Sequence, residues 1–115
     1  PDPHGNQEES YISCEIKNVN EIINELGIDS IDLIKIDTEG AEYDILTTFE
    51  EKVLKRASWI TGELHGNRDF ELLNYLASLD FSISLNKQIS SRLFMFNAAK
   101  SDIISQLDKK EIKAL

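Results

Sequence analysis

The chain has one cysteine, Cys14, so it cannot close an internal disulfide, and it shows no Cys/His spacing of the kind that holds structural zinc. A reducing, cytoplasmic setting is expected, with Cys14 a small, half-buried residue of a strand. No apolar run is long enough to span a bilayer, and the first ten residues lack the apolar core of a signal peptide. Basic residues are scarce: 12 stand against 21 acidic ones, for a formal charge of −9. Such a field repels a phosphate backbone or an anionic surface, so neither nucleic acid nor membrane is expected as a partner.

What is present describes an ordinary globular piece. Apolar residues make up 41% and charged residues 29% of 115 residues, enough for one small domain with a modest core. Residues 1–10 carry both prolines and no large apolar side chain, and read as a loose leader or former interdomain loop. The chain begins with Pro1 rather than Met, as a piece of something longer would.

Alternation over 11–17, with Ile12, Cys14 and Ile16 on one side, predicts a short strand. Asn18 then caps a helix whose apolar face is Val19, Ile22, Ile23 and Leu26, with Glu21 at the capping-box position and Gly27 ending it. The branched run 31–36 predicts a strand buried on both faces of a parallel sheet. A helix over 41–49 turns Ala41, Ile45 and Leu46 inward, and a short helical turn covers 51–56. Strand 59–64 follows, then a helix over 69–79 with Phe70, Leu73, Leu76 and Ala77 on one face. Strands 81–85 and 93–97 stand too close for a helical crossover and predict an antiparallel hairpin. Ser101 caps a last helix over 101–115. The pattern is α/β: parallel strands with helices and a closing antiparallel hairpin, half of a doubly wound sheet.

In open α/β sheets the ligand lies beyond the carboxyl ends of the strands. Two polar clusters fall there: Asp37, Thr38, Glu39 and Gly40 after one strand, and Glu63, His65, Gly66 and Asn67 after the next. Simple structural readings exist for the first. Asp37 or Thr38 can cap the following helix, worth about 1 kcal/mol, Glu39 and Glu42 can favour its positive end, and Gly40 can permit close helix-to-strand packing. Glu63 resists such a reading, because a carboxylate closing an apolar strand is costly to bury unpaired. His65 is either a general base near neutrality or a surface loop histidine, and His4 in the leader is a surface residue. Asp37, Glu39, Glu63 and His65 are plausible metal-ligand types, but their order in the chain supplies no geometry and no metal is assigned.

The segment Ile31-Asp32-Leu33-Ile34-Lys35-Ile36-Asp37-Thr38-Glu39-Gly40-Ala41-Glu42, followed by Ile45-Leu46, resembles the signature block of FkbM-type methyltransferases. Glu63-Leu64-His65 resembles that family's later glutamate-apolar-histidine, and the final hairpin fits its last two strands. The resemblance runs over 11–97. It implies the C-terminal half of a class I, Rossmann-like methyltransferase domain over 11–100, with S-adenosylmethionine as donor and a small-molecule or sugar hydroxyl as acceptor. The family's glycine-rich cofactor turn has no counterpart among Gly5, Gly27, Gly40, Gly62 and Gly66. The main cofactor-binding residues are thus expected in an absent N-terminal half, and the segment alone is expected to be inactive and to bind the cofactor weakly or not at all.

On this reading Asp37 positions the acceptor or takes its proton, His65 is the alternative base, Glu63 orients, and Thr38 and Glu39 shape the substrate pocket. A homodimer through the exposed sheet edge at 33–36 is a further expectation. Two rival readings stay open: a non-catalytic α/β assembly module, and an aspartyl nucleophile for phosphoryl transfer at Asp37-Thr38-Glu39.

Overall fold

The computed structural model describes residues 10–87 and 91–105. Its elements in chain order are α1 (Val19–Leu26), β1 (Leu33–Ile36), α2 (Glu42–Thr48), α3 (Glu51–Leu54), β2 (Trp59–Leu64), α4 (Asp69–Ser78), β3 (Ser82–Lys87) and β4 (Phe94–Ala99). Residues 101–105 are helical, while the expected leader over 1–9 and the expected helix over 106–115 lie outside the described residues.

The four strands form one mixed sheet in the order β1-β2-β4-β3. β1 and β2 are parallel, joined by the α2–α3 crossover, with Ile36 opposite Gly62. β4 runs antiparallel to both β2 and β3, so the expected hairpin is present and its second strand docks against β2. The Trp59 indole N–H donates to Asn97 Oδ1 at 2.9 Å across β2 and β4, fixing their register with a side-chain bond. The protein is therefore a small α/β fold with a mixed four-stranded sheet.

The core gathers Ile36, Leu46, Leu54, Ile60, Leu72, Leu76 and Phe96. Along β2 burial alternates, with Ile60, Gly62 and Leu64 inward and Trp59, Thr61 and Glu63 half-buried. β1 departs from the expected burial on both faces: Leu33 is 58% exposed, because β1 stands at the margin of the sheet and pairs, among the described residues, with β2 alone.

α1 is delimited as its sequence dictates. Asn18 Oδ1 accepts from the Asn20 N–H at 2.8 Å, and Gly27, at φ 65°, returns its own N–H to the carbonyls of Asn24 and Ile23. Its expected apolar face is mostly unburied, however: of that face Ile23 alone is buried, whereas Leu26 is largely exposed. Asn20 ties this helix to the body, donating Nδ2–H to Thr48 O at 2.7 Å and accepting the Glu50 N–H at 2.9 Å.

Three further expectations are corrected. Residues 11–17 form no strand, since no neighbouring strand among the described residues supplies a ladder, and Cys14 is exposed rather than half-buried in a sheet. In α4 the inward positions are Leu72 and Leu76, an i,i+4 pair, with Leu73 partly packed, and Phe70 points away from the core. On α2 the buried side chains are Leu46 and Glu42, a charged residue where an apolar face was expected.

Candidate active site at the carboxyl ends of β1 and β2

Parallel pairing with Ile36 beside Gly62 brings the ends of β1 and β2 out at one level. Asp37 leaves the first strand next to Glu63 of the second, and His65 follows one residue beyond Leu64. One donor atom from each of Asp37, Glu63 and His65 lies within 4.8 Å of the other two. The structure thus unites the three residues that the sequence marked as catalytic, while Glu39 stands outside this group. Asp37 and Glu63 also line a cavity of about 120 Å³ shared with Lys35, Ile36, Thr61, Gly62 and Met95. A larger hollow of about 300 Å³ is lined by Ile28, Asp29, Val53 and Arg56, among others, which precede β1 and β2 in the chain. It belongs to the opposite end of the strands from these carboxylates.

The turn after β1 is unusual in its backbone. Glu39 has φ 52° and Gly40 φ 118°. The first is a sparsely used left-handed conformation for a residue with a side chain, and the second is open to glycine almost alone. A Cβ on Gly40 would meet nothing within 4 Å, so this glycine is required by conformation and not by close packing. Close packing falls instead on Gly62. The helix after the turn has Ala41 at its N-cap with no side-chain cap bond, so capping does not account for Asp37 or Thr38. Thr38 and Glu39 are exposed at the rim.

The residue that sequence reasoning placed only at the positive end of a helix is Glu42. It is 4% exposed, accepts the Gly40 N–H at 2.9 Å through Oε2, and presses Oε1 against His65 Nδ1. Both of these facing atoms are sealed from solvent; they meet as a close polar contact without hydrogen-bond geometry, and neither has a hydrogen-bond partner among the described residues. Nδ1 is thus turned toward Glu42 and Nε2 toward the open side of the site. Nε2 lies 3.6 Å from Glu63 Oε2. The clue available in the sequence was the second glutamate of Glu39-Gly40-Ala41-Glu42. What hid its role is that His65 lies on another strand's turn.

Neighbouring bonds hold the two turns together. Asn67 Nδ2 donates to Gly40 O at 2.7 Å, and the Gly66 N–H donates to Asp69 Oδ2 at 3.0 Å, at the start of α4. Arg68 lies over the Tyr43 ring at 3.8 Å, donates to the Tyr43 hydroxyl at 3.1 Å, and binds Glu71. The Glu71 bond raises the Arg68 pKa above its usual value and holds the Glu71 carboxyl below the ordinary carboxylate range.

Among the described residues no helix is long and apolar enough to cross a membrane. The model of the methyltransferase FkbM domain matches residues 3–84. The antimetabolite synthetase AmbE of Pseudomonas aeruginosa is 38% identical over 56 residues, which are 49% of this chain and 3% of that protein, so the chain corresponds to a small part of its length. No solved structure matches the chain at a significant level. With the family block carried by β1, its turn and α2, and with the later Glu63-Leu64-His65 brought against it, the chain belongs to the FkbM methyltransferase family, a family of S-adenosylmethionine-dependent methyltransferases.

Proposed function

We propose that this domain serves the transfer of a methyl group from S-adenosylmethionine to a hydroxyl of a small molecule or sugar. The observation that carries the reading is the convergence of Asp37, Glu63 and His65 at the carboxyl ends of adjacent parallel strands. The partial likeness to an antimetabolite synthetase supports a small-molecule acceptor.

Methyl transfer is an in-line displacement, so the protein aligns donor and acceptor and assists loss of the acceptor proton. Asp37, exposed at the mouth of the cavity, takes that proton. Glu63 and His65 orient the acceptor oxygen, and Thr38 and Glu39 form the rim against which the rest of the acceptor rests. The cavity of about 120 Å³ suits the end of an acceptor and is smaller than the roughly 300–1,000 Å³ of a whole-ligand pocket.

In the full-length gene product, Asp37→Ala is expected to lower turnover by about 10²–10⁴-fold, measured with methyl-labelled S-adenosylmethionine and a panel of hydroxyl acceptors. Label recovered on nitrogen or carbon would refute the hydroxyl assignment. An inactive His65→Ala beside a fully active Asp37→Ala would move the proton-accepting role to the imidazole.

The margin of the sheet supports a homodimer. β1 offers a half-exposed apolar strand with Leu33 uncovered, a geometry that accepts a second strand by main-chain pairing. Sedimentation of the 115-residue chain under reducing conditions, which prevent cross-linking through exposed Cys14, is expected to show dimers that a Leu33→Lys substitution dissociates. A chain that stays monomeric at high concentration removes this partner.

A further inference from the structure

We propose that Asp37, Glu63 and His65 hold one divalent cation, of the Mn²⁺ or Zn²⁺ kind, and that this cation receives the acceptor oxygen; the second clause rests on the hydroxyl-transfer reading above. Three observations carry the site. The first is spacing: the three donor atoms lie within 4.8 Å of one another, and donors about 2.0–2.2 Å from a shared ion stand up to roughly 4.4 Å apart, so small side-chain rotations complete the set.

The second observation is the setting of the imidazole. Its Nδ1 faces the buried carboxylate of Glu42, and its Nε2 faces Glu63 Oε2 across 3.6 Å. That distance is too long for a hydrogen bond, and two ligand atoms so spaced can each stand about 2.0–2.2 Å from one shared ion. A metal-ligating histidine characteristically gives its second ring N–H to a carboxylate, which fixes tautomer and ring orientation. Glu42, itself anchored by the Gly40 N–H at 2.9 Å, stands where that outer carboxylate belongs.

The third is access. Asp37 is exposed and Glu63 half-exposed, so the ion would retain open positions for water or an acceptor, the mark of a catalytic site rather than a closed structural one. Two carboxylates with one imidazole suit Mn²⁺ or Zn²⁺ better than Ca²⁺, which takes oxygen ligands, or Cu⁺, which prefers sulfur.

Such an ion has a definite part in the chemistry. Carboxylates as a class are weak bases toward an alcohol, and a bound cation lowers the proton affinity of an oxygen it contacts. The acceptor oxygen forms its new bond to the methyl carbon as the carbon–sulfur bond breaks. The bonding pair leaves with sulfur, giving a neutral thioether, and the acceptor proton passes to the Asp37 carboxylate oxygen left unbound by the ion.

The test is titration of the 115-residue chain with Mn²⁺ alone, without S-adenosylmethionine, following loss of the free-ion electron paramagnetic resonance signal. One equivalent should be taken up. Affinity is expected to fall about tenfold or more in His65→Ala and in Glu63→Gln, and by about 10–100-fold in Glu42→Gln, with no change in Asp102→Asn. Circular dichroism checks that each variant is folded. Should His65→Ala fail to fold, Zn²⁺ added to ¹⁵N-histidine-labelled wild type must move the His65 Nε2 resonance; a stationary resonance overturns the site, as does equal Mn²⁺ affinity in a folded His65→Ala. Metal uptake without methyl transfer to a hydroxyl would overturn the hydroxyl reading alone. Methyl transfer that survives a chelator, with no metal uptake, would overturn the metal site alone.

Discussion

Glu42→Ala is expected to lower stability by about 1–3 kcal/mol, because it removes the buried carboxylate that accepts the Gly40 N–H and packs against His65 Nδ1. Glu42 is 4% exposed, and its two oxygens serve His65 Nδ1 and the Gly40 N–H. Truncation removes the Gly40 N–H acceptor and leaves a void beside His65 Nδ1. Against the roughly 5–15 kcal/mol of a typical domain, the loss should lower the urea midpoint by about 0.3–3 M at m values of about 1–3 kcal/mol/M. Glu42→Gln retains one carbonyl acceptor and should recover part of the difference. An alanine variant with the wild-type midpoint would show that the pair contributes nothing to folding and that His65 is held by other means.

The second large effect is expected at Gly62. A Cβ there would stand 2.6 Å from both Ile36 Cγ2 and Ile36 O, and 3.0 Å from Phe96 Cε1. Rotating the Ile36 side chain relieves the first contact and leaves the second, since that oxygen belongs to the backbone of the paired strand. Gly62→Ala must therefore widen the gap between β1 and β2. Alanine gains about 0.5–1 kcal/mol over glycine in a strand, but forced overpacking of a tight interior costs about 1–3 kcal/mol and occasionally more. The net result is a loss of stability, readable by urea denaturation. Since the widened gap lies one residue before Asp37 and Glu63, the same variant should bind Mn²⁺ less tightly. Unchanged stability would mean that the strands part there at little cost.

Much of this molecule could be read from its residues because the relevant signals are local. β2 begins at Trp59 and ends at Leu64 as expected, Asn18 and Gly27 delimit α1, and the short polar link after 81–85 could only close a hairpin. The readings that failed depended on what lies beside a segment. Residues 11–17 alternate as a strand should but have no ladder among the described residues. The branched run of β1 resembles a central strand, yet it stands at the sheet margin. In α4 several apolar residues compete for the inward face, and packing against the sheet selects Leu72 and Leu76 over Phe70.

The candidate site divides in the same way. That Asp37, Glu63 and His65 would meet follows from parallel strands and their carboxyl ends. The duties of the two glycines did not follow: Gly40 answers to backbone conformation, and the crowded position is Gly62. Glu42 was visible as a letter of the family block, but its contact with His65 exists only once α2 is laid against the turn after β2.

Asn20 gives α1 a character different from the rest of the fold. With Ile23 as its one buried side chain, this helix is fastened to the α2–α3 junction by two side-chain hydrogen bonds at the surface. Local opening is easiest where few apolar contacts are lost, so hydrogen exchange at α1 is expected to be faster than in β2 and β4, whose residues fill the core.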